Sequence, residues 1–116
     1  LARLRAVQRR PRRGAASDLA VGDLRFDPSG HTATAGEVEL IMTSRELAIL
    51  ELLMRRAPAI VERTAIAHHA WQDDAGPVGS NTIDVHLSHI RRKLADAGSD
   101  VELHTVRGLG YRLATP

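Results

Sequence analysis

The 116-residue chain contains no cysteine, a single lysine, two methionines and three aromatic residues, Phe26, Trp71 and Tyr111. Without cysteine there is neither a disulfide scaffold nor a thiolate metal site. Three scattered aromatics form no stacking platform for single-stranded nucleic acid. No apolar run approaches the roughly 18 residues of a membrane span, and no signal-peptide pattern is present. These absences predict a soluble, cytoplasmic module with no membrane partner, one domain of about 100 residues with a tail.

Net charge is also small. Sixteen Lys+Arg against 14 Asp+Glu give a formal charge of +2. The balance is uneven, because residues 1–16 hold Arg3, Arg5, Arg9, Arg10, Arg12 and Arg13 and no acid, leaving 10 basic and 14 acidic residues in 17–116. Whole-chain charge therefore does not argue for nucleic acid, and an anion site in the body must be a local cluster. In the head, Leu1, Leu4 and Val7 recur at helical intervals and PRRGAAS (11–17) reads as a linker. A solvated basic tail is the plainer alternative.

Residues 19–41 alternate with period two. Leu24 and Phe26 precede the turn DPSG (27–30), Thr32 and Thr34 alternate with alanine before Gly36, and Val38 and Leu40 alternate with Glu37 and Glu39. Three short antiparallel strands are predicted. The period then changes. Thr43-Ser44-Arg45-Glu46 has the form of a capping box, and Leu47, Leu50, Met54 and Ala57, widened by Ile49 and Leu53, form an apolar stripe that Pro58 closes. A second helix over about 63–70 carries Ile66 and Ala70 into Trp71, with Glu62 a weak N-cap. The polar loop QDDAGPVG (72–79) follows.

The third helix, with Ser80 or Asn81 as cap and Asp84 opposing the dipole, buries Ile83, Leu87, Ile90 and Leu94 and ends near Gly98. At about 100° per residue, Asn81, Val85, Ser88 and Arg92 face away from that stripe. Thr82, His89 and Lys93 flank them on one side, Arg91 and Asp84 on the other. An outward valine among hydrogen-bonding groups and three consecutive cations, Arg91, Arg92 and Lys93, suits major-groove reading. The last segment, VELHTVRGLGYRL (101–113), predicts a hairpin with Arg107 at a glycine-containing tip, suited to a minor groove. Surface residues without a ligand are the competing reading of both features.

Other chemistry is poorly supported. His68 and His69 are adjacent and diverge on a helix, while His86 and His89, at i and i+3, lack a third ligand on their flank. No metal site and no cofactor are expected. Ser80, Ser88 and Asp84 have around them neither a strand–turn nucleophile nor a phosphate-binding glycine loop. The chain is not expected to be an enzyme. Trp71 reads first as a core plug beneath the third helix. The acidic loop with Asp73 and Asp74 offers a second function class, a protein-interaction module acting through 72–79 without DNA.

The run SNTIDVHLSHIRRKL (80–94) followed by TVRGLGYRL (105–113) resembles the OmpR/PhoB family of winged-helix effector domains of bacterial two-component response regulators. TSRELAILELLMRR (43–56) and the helix ending in Trp71 match the same family in the same order, so the likeness covers about residues 19–115. It implies an α+β fold: an N-terminal four-stranded antiparallel sheet, its fourth strand around Glu39–Met42, then three helices and a C-terminal hairpin wing. Residues 1–17 resemble the end of a receiver-domain helix plus the interdomain linker, with 18–116 the winged-helix domain. Starting at Leu1 rather than Met fits such a piece.

The implied function is sequence-specific binding of double-stranded promoter DNA, with two protomers on direct repeats under the control of a sensor kinase acting on the receiver. Base contacts carried over by position are Asn81, Thr82, Val85, Ser88 and His89. Phosphate contacts are Trp71, His86, Arg91, Arg92, Thr105 and Tyr111, with Arg107 in the minor groove. The loop at Gln72, Asp73 and Asp74 would touch RNA polymerase. Asn81, Ser88 and His89 stand where some members place arginine, which implies weaker intrinsic affinity and more reliance on dimerisation. Glu62 replaces a small hydroxyl cap, at a cost of about 1 kcal/mol.

Overall fold

A computed structural model describes residues 19–71 and 80–115 of the chain. Among these, β1 (Leu19–Val21), β2 (Leu24–Asp27), β3 (Thr32–Ala35) and β4 (Val38–Glu39) precede α1 (Ser44–Arg56), α2 (Arg63–Ala70) and α3 (Ser80–Asp96). The hairpin β5 (Glu102–Val106) and β6 (Gly110–Ala114) follows.

The first four strands pair antiparallel in sequence order. Leu24, Phe26, Ala33 and Ala35 face inward and are buried, with Leu24 opposite Ala35 and Phe26 opposite Ala33. The strands predicted from alternation are β2, β3 and β4. The additional strand is β1, ahead of them, so the placement of a fourth strand around Glu39–Met42 is corrected. Leu40 donates its N–H to Ala33, after which residues 41–43 form no strand before the helix begins.

The capping box at α1 is complete: Thr43 Oγ1 accepts from the Glu46 N–H, and Glu46 Oε1 accepts from the Thr43 N–H. The helix stops at Arg56 because Pro58 disfavours helical backbone in the residue before it, and Ala57 is extended. Its stripe of Leu47, Leu50, Leu53 and Met54, joined by Ile49 and Leu52, is buried.

Helix α3 buries Ile83, Leu87, Ile90 and Leu94, each at most 2 % exposed. Ser80 and Asn81 already lie within its first turn, so neither is its cap, and the position before Ser80 falls outside the described residues. At the other end, Ser99 N–H bonds the Leu94 carbonyl and Gly98 N–H bonds that of Ala95, with Gly98 at φ +74°. This Schellman ending turns the chain back toward β5. Four layers thus share one core: the sheet, α1, α3 and the inward side of the hairpin, where Val101, Leu103, Tyr111 and Leu113 are buried.

Candidate nucleic-acid interface

Burial of one stripe of α3 leaves its opposite face to solvent. Asn81, Thr82, Ser88, His89 and Arg92 are exposed there, and Val85 is 45 % exposed. The five residues assigned to base contact therefore share one accessible helical face, with an apolar side chain at its centre.

The wing is fixed to the helical body by its backbone. Val61, between α1 and α2, exchanges two hydrogen bonds with Tyr111, N–H to carbonyl at 2.7 Å and the reverse at 3.0 Å. Gly110 makes this contact possible, since a Cβ there would lie 2.2 Å from the Val61 carbonyl oxygen. The tip between the strands is Arg107, Gly108 and Leu109, all exposed, with Gly108 at φ +78°.

Side chains add a second tie. The Tyr111 hydroxyl donates to Asp84 Oδ1 at 2.5 Å, and Arg63 Nη2 donates to the same oxygen at 2.7 Å and to the Tyr111 hydroxyl. One residue from α2, one from α3 and one from β6 are joined at a point. The Tyr111 hydrogen bond, with help from Arg63 and against desolvation, holds Asp84 below the usual aspartate range. Burial and the same carboxylate push the Tyr111 phenol up. Asp84 thus serves the wing rather than the helix dipole. Tyr111, assigned to a phosphate contact, is only 3 % exposed with its hydroxyl given to a protein carboxylate.

The cations also divide. Arg91 donates from Nε to the Leu103 carbonyl at 3.0 Å and from Nη2 to Thr105 Oγ1 at 2.9 Å, which ties α3 to β5. Lys93 Nζ lies 2.6 Å from Oε1 of Glu46, which alone among the described charged residues is buried. Desolvation pushes the Glu46 carboxyl up, but donors from Lys93 and the Thr43 backbone, with the charges of Lys93 and His89, bring it below the usual range. Among the described residues, Arg92 and Arg107 have no hydrogen-bond or ion-pair partner. The row of three outward cations reduces to one on the helix, with a second at the wing tip.

Trp71, half-buried, packs against the core as the plug reading predicts, and also meets the His86 ring edge-on at 5.2 Å with the Arg45 guanidinium 5.0 Å from its centroid. His86 Nδ1 lies 2.8 Å from the Thr82 carbonyl, so that nitrogen carries the proton. The loop residues Gln72, Asp73 and Asp74 lie outside the described residues, as does the head at 1–17.

Sequence patterns did not single out Glu46, Arg63, Val61 or Gly110 for these roles. A signal for Glu46 existed: it sits four and seven residues before Leu50 and Leu53, on the apolar stripe, where a carboxylate requires a partner.

A four-stranded sheet, three helices and a hairpin packed beside an exposed helical face define a winged-helix domain of the helix-turn-helix class. The chain belongs to the OmpR/PhoB-type family described as "Transcriptional regulatory protein, C terminal", whose model matches residues 36–113. It is 40 % identical over 114 residues to the transcriptional regulatory protein QseB of Escherichia coli O157:H7, covering 97 % of this chain and 49 % of that protein. Response regulator protein PmrA of Pseudomonas aeruginosa is 37 % identical over 117 residues, covering 99 % of this chain and 50 % of the relative. The chain thus spans about half the length of such relatives. Among solved structures, the DNA-binding domain of response regulator AdeR, in complex with an intercistronic region, gives a TM-score of 0.74 at 26 % identity over 84 % of this chain and 99 % of that one. The DNA-binding domain of CpxR from E. coli gives 0.69 at 28 % identity, over 84 % and 96 %.

Proposed function

We propose that this chain is the DNA-binding output domain of a two-component response regulator, reading a promoter with α3 in the major groove and the wing in the adjoining minor groove. The carrying observation is the exposed face of α3, where half-exposed Val85 is ringed by Asn81, Thr82, Ser88, His89 and Arg92, the last without a partner among the described residues. Polar side chains there suit base edges, and the valine suits a thymine methyl. Arg107 at a thin tip suits a narrow minor groove. Arg91 and Tyr111 hold α3 and the wing in one orientation, so that both enter DNA together.

Phosphate contacts then fall to Arg92, Thr105, Trp71 and His86, with Arg91 contributing from its tethered position. A second protomer on a direct repeat, RNA polymerase at the 72–79 loop, and a sensor kinase acting through a receiver joined at 1–17 complete the proposal. Selection from a random duplex library tests it. A single enriched motif, recurring as a direct repeat, is the expected result; no enrichment at low salt overturns the reading.

A further inference from the structure

His89 lies on the proposed DNA-reading face, with its side chain 52 % exposed, yet its Nδ1 is 3.4 Å from Oε2 of Glu46. The two oxygens of that carboxylate are differently used. Oε1 accepts from the Thr43 N–H at 3.0 Å and from Lys93 Nζ at 2.6 Å. For Oε2, the neighbouring polar group among the described residues is His89. An ionised carboxylate oxygen only accepts, so a ring nitrogen facing it at 3.4 Å is favoured with its proton on rather than with its lone pair exposed.

We infer that Glu46 is a positioning residue for base recognition, holding His89 in the tautomer protonated at Nδ1 so that Nε2 presents an acceptor to the major groove. The inference rests on the DNA-reading role of α3 and deepens it. Neutral imidazole carries one proton, and which nitrogen holds it is set by the partner of the other. Lys93 keeps the carboxylate ionised at the core edge, so Oε2 draws that proton to Nδ1. Nε2 then remains for the ligand as an unprotonated nitrogen. Only two base edges in the major groove offer a donor to it, the amino groups of adenine and cytosine. Guanine offers acceptors at N7 and O6 and is disfavoured. His89 thereby selects the class of base, and a residue on α1 sets the choice.

Glu46→Gln reverses the choice while preserving the fold. Glutamine retains the capping box with Thr43. Its amide oxygen is drawn to the Lys93 and Thr43 donors, which turns the NH₂ toward Nδ1. Nδ1 must then accept, the proton moves to Nε2, and the outward nitrogen becomes a donor suited to guanine.

Two measurements test this. In the free wild-type chain at about pH 8.5, above the ordinary imidazole range, ring-nitrogen NMR of His89 is expected to show a protonated Nδ1 and an unprotonated Nε2. The opposite pattern overturns the inference, and no variant is needed, so stability of Glu46→Gln does not enter. Duplex selection is then run on wild type, His89→Ala and Glu46→Gln. Wild type should prefer adenine or cytosine at one position by about tenfold, His89→Ala should lose that preference, and Glu46→Gln should move it to guanine with flanking positions unchanged. An unaltered preference in Glu46→Gln contradicts the inference. Absence of any selected duplex with wild type overturns the DNA-reading role itself, while the NMR pattern reports the tautomer separately.

Discussion

The Lys93 ammonium and the Glu46 carboxylate meet at 2.6 Å across the α1–α3 contact, the carboxylate side chain 3 % and the lysine 33 % exposed. Because α3 is held to α1 through this pair, the stability of the fold has a pH dependence of definite sign. The folded state lowers the Glu46 carboxyl below its ordinary value of 4.5, so the stabilisation is complete above that value and is lost as pH falls through the lower folded one. Lys93→Met should cost about 2 kcal/mol near neutral pH. In urea titrations, the gap between variant and wild type should narrow as the pH falls below 4.5 and through the lower folded value.

Tyr111 is the sole tyrosine in the chain, so tyrosinate absorbance reports it alone. Burial and the hydrogen bond to Asp84 raise its phenol above 10.0. The neutral phenol therefore stabilises the fold fully below about pH 10, and that contribution disappears as pH rises through the higher folded value. The native titration should lie above the denatured one, and Asp84→Asn should bring it back toward the denatured midpoint. Tyr111→Phe should cost about 1 kcal/mol.

Two glycines of the wing should respond differently to alanine. At Gly110 a Cβ would collide with the Val61 carbonyl at 2.2 Å, so Gly110→Ala must break the bridge that fixes the wing, at about 3 kcal/mol. At Gly108 the added atom meets open space, leaving only the left-handed backbone penalty of about 1 kcal/mol. Thermal melts of both variants separate these outcomes.

Val85→Glu places a carboxylate on the proposed DNA-facing side of α3, and Arg107→Ala removes the wing-tip cation. Each should weaken specific binding by about tenfold or more, roughly 1–3 kcal/mol, without altering the thermal midpoint. Arg92→Ala should reduce the slope of log affinity against log salt by about one unit. Anisotropy titrations across a salt series measure both effects.

Local signals were legible in the sequence and long-range pairings were not. The Thr43–Glu46 capping box and the Ile83–Leu94 stripe depend on neighbours within a turn or two, and both form as the spacing predicts. Strand β1 has only three residues, too few for alternation to show. Val61 joins the wing through one bridge, which leaves no periodic trace. Charge roles were the least legible: Asp84 meets Tyr111 27 residues away and Lys93 meets Glu46 47 residues away. Three adjacent cations look alike in sequence, but tertiary partners leave only Arg92 of them unengaged among the described residues.

In the proposed function, the outward face of α3 and the tip of the wing jointly contact duplex DNA. Amide and methyl chemical-shift mapping of the labelled chain titrated with its selected duplex tests it most directly. Perturbations are expected to concentrate at Asn81, Val85, Ser88, His89, Arg92 and Arg107, with β1 to β4 little changed. Perturbations confined to the N-terminal sheet, leaving Val85 and Arg107 unmoved at saturation, would contradict it.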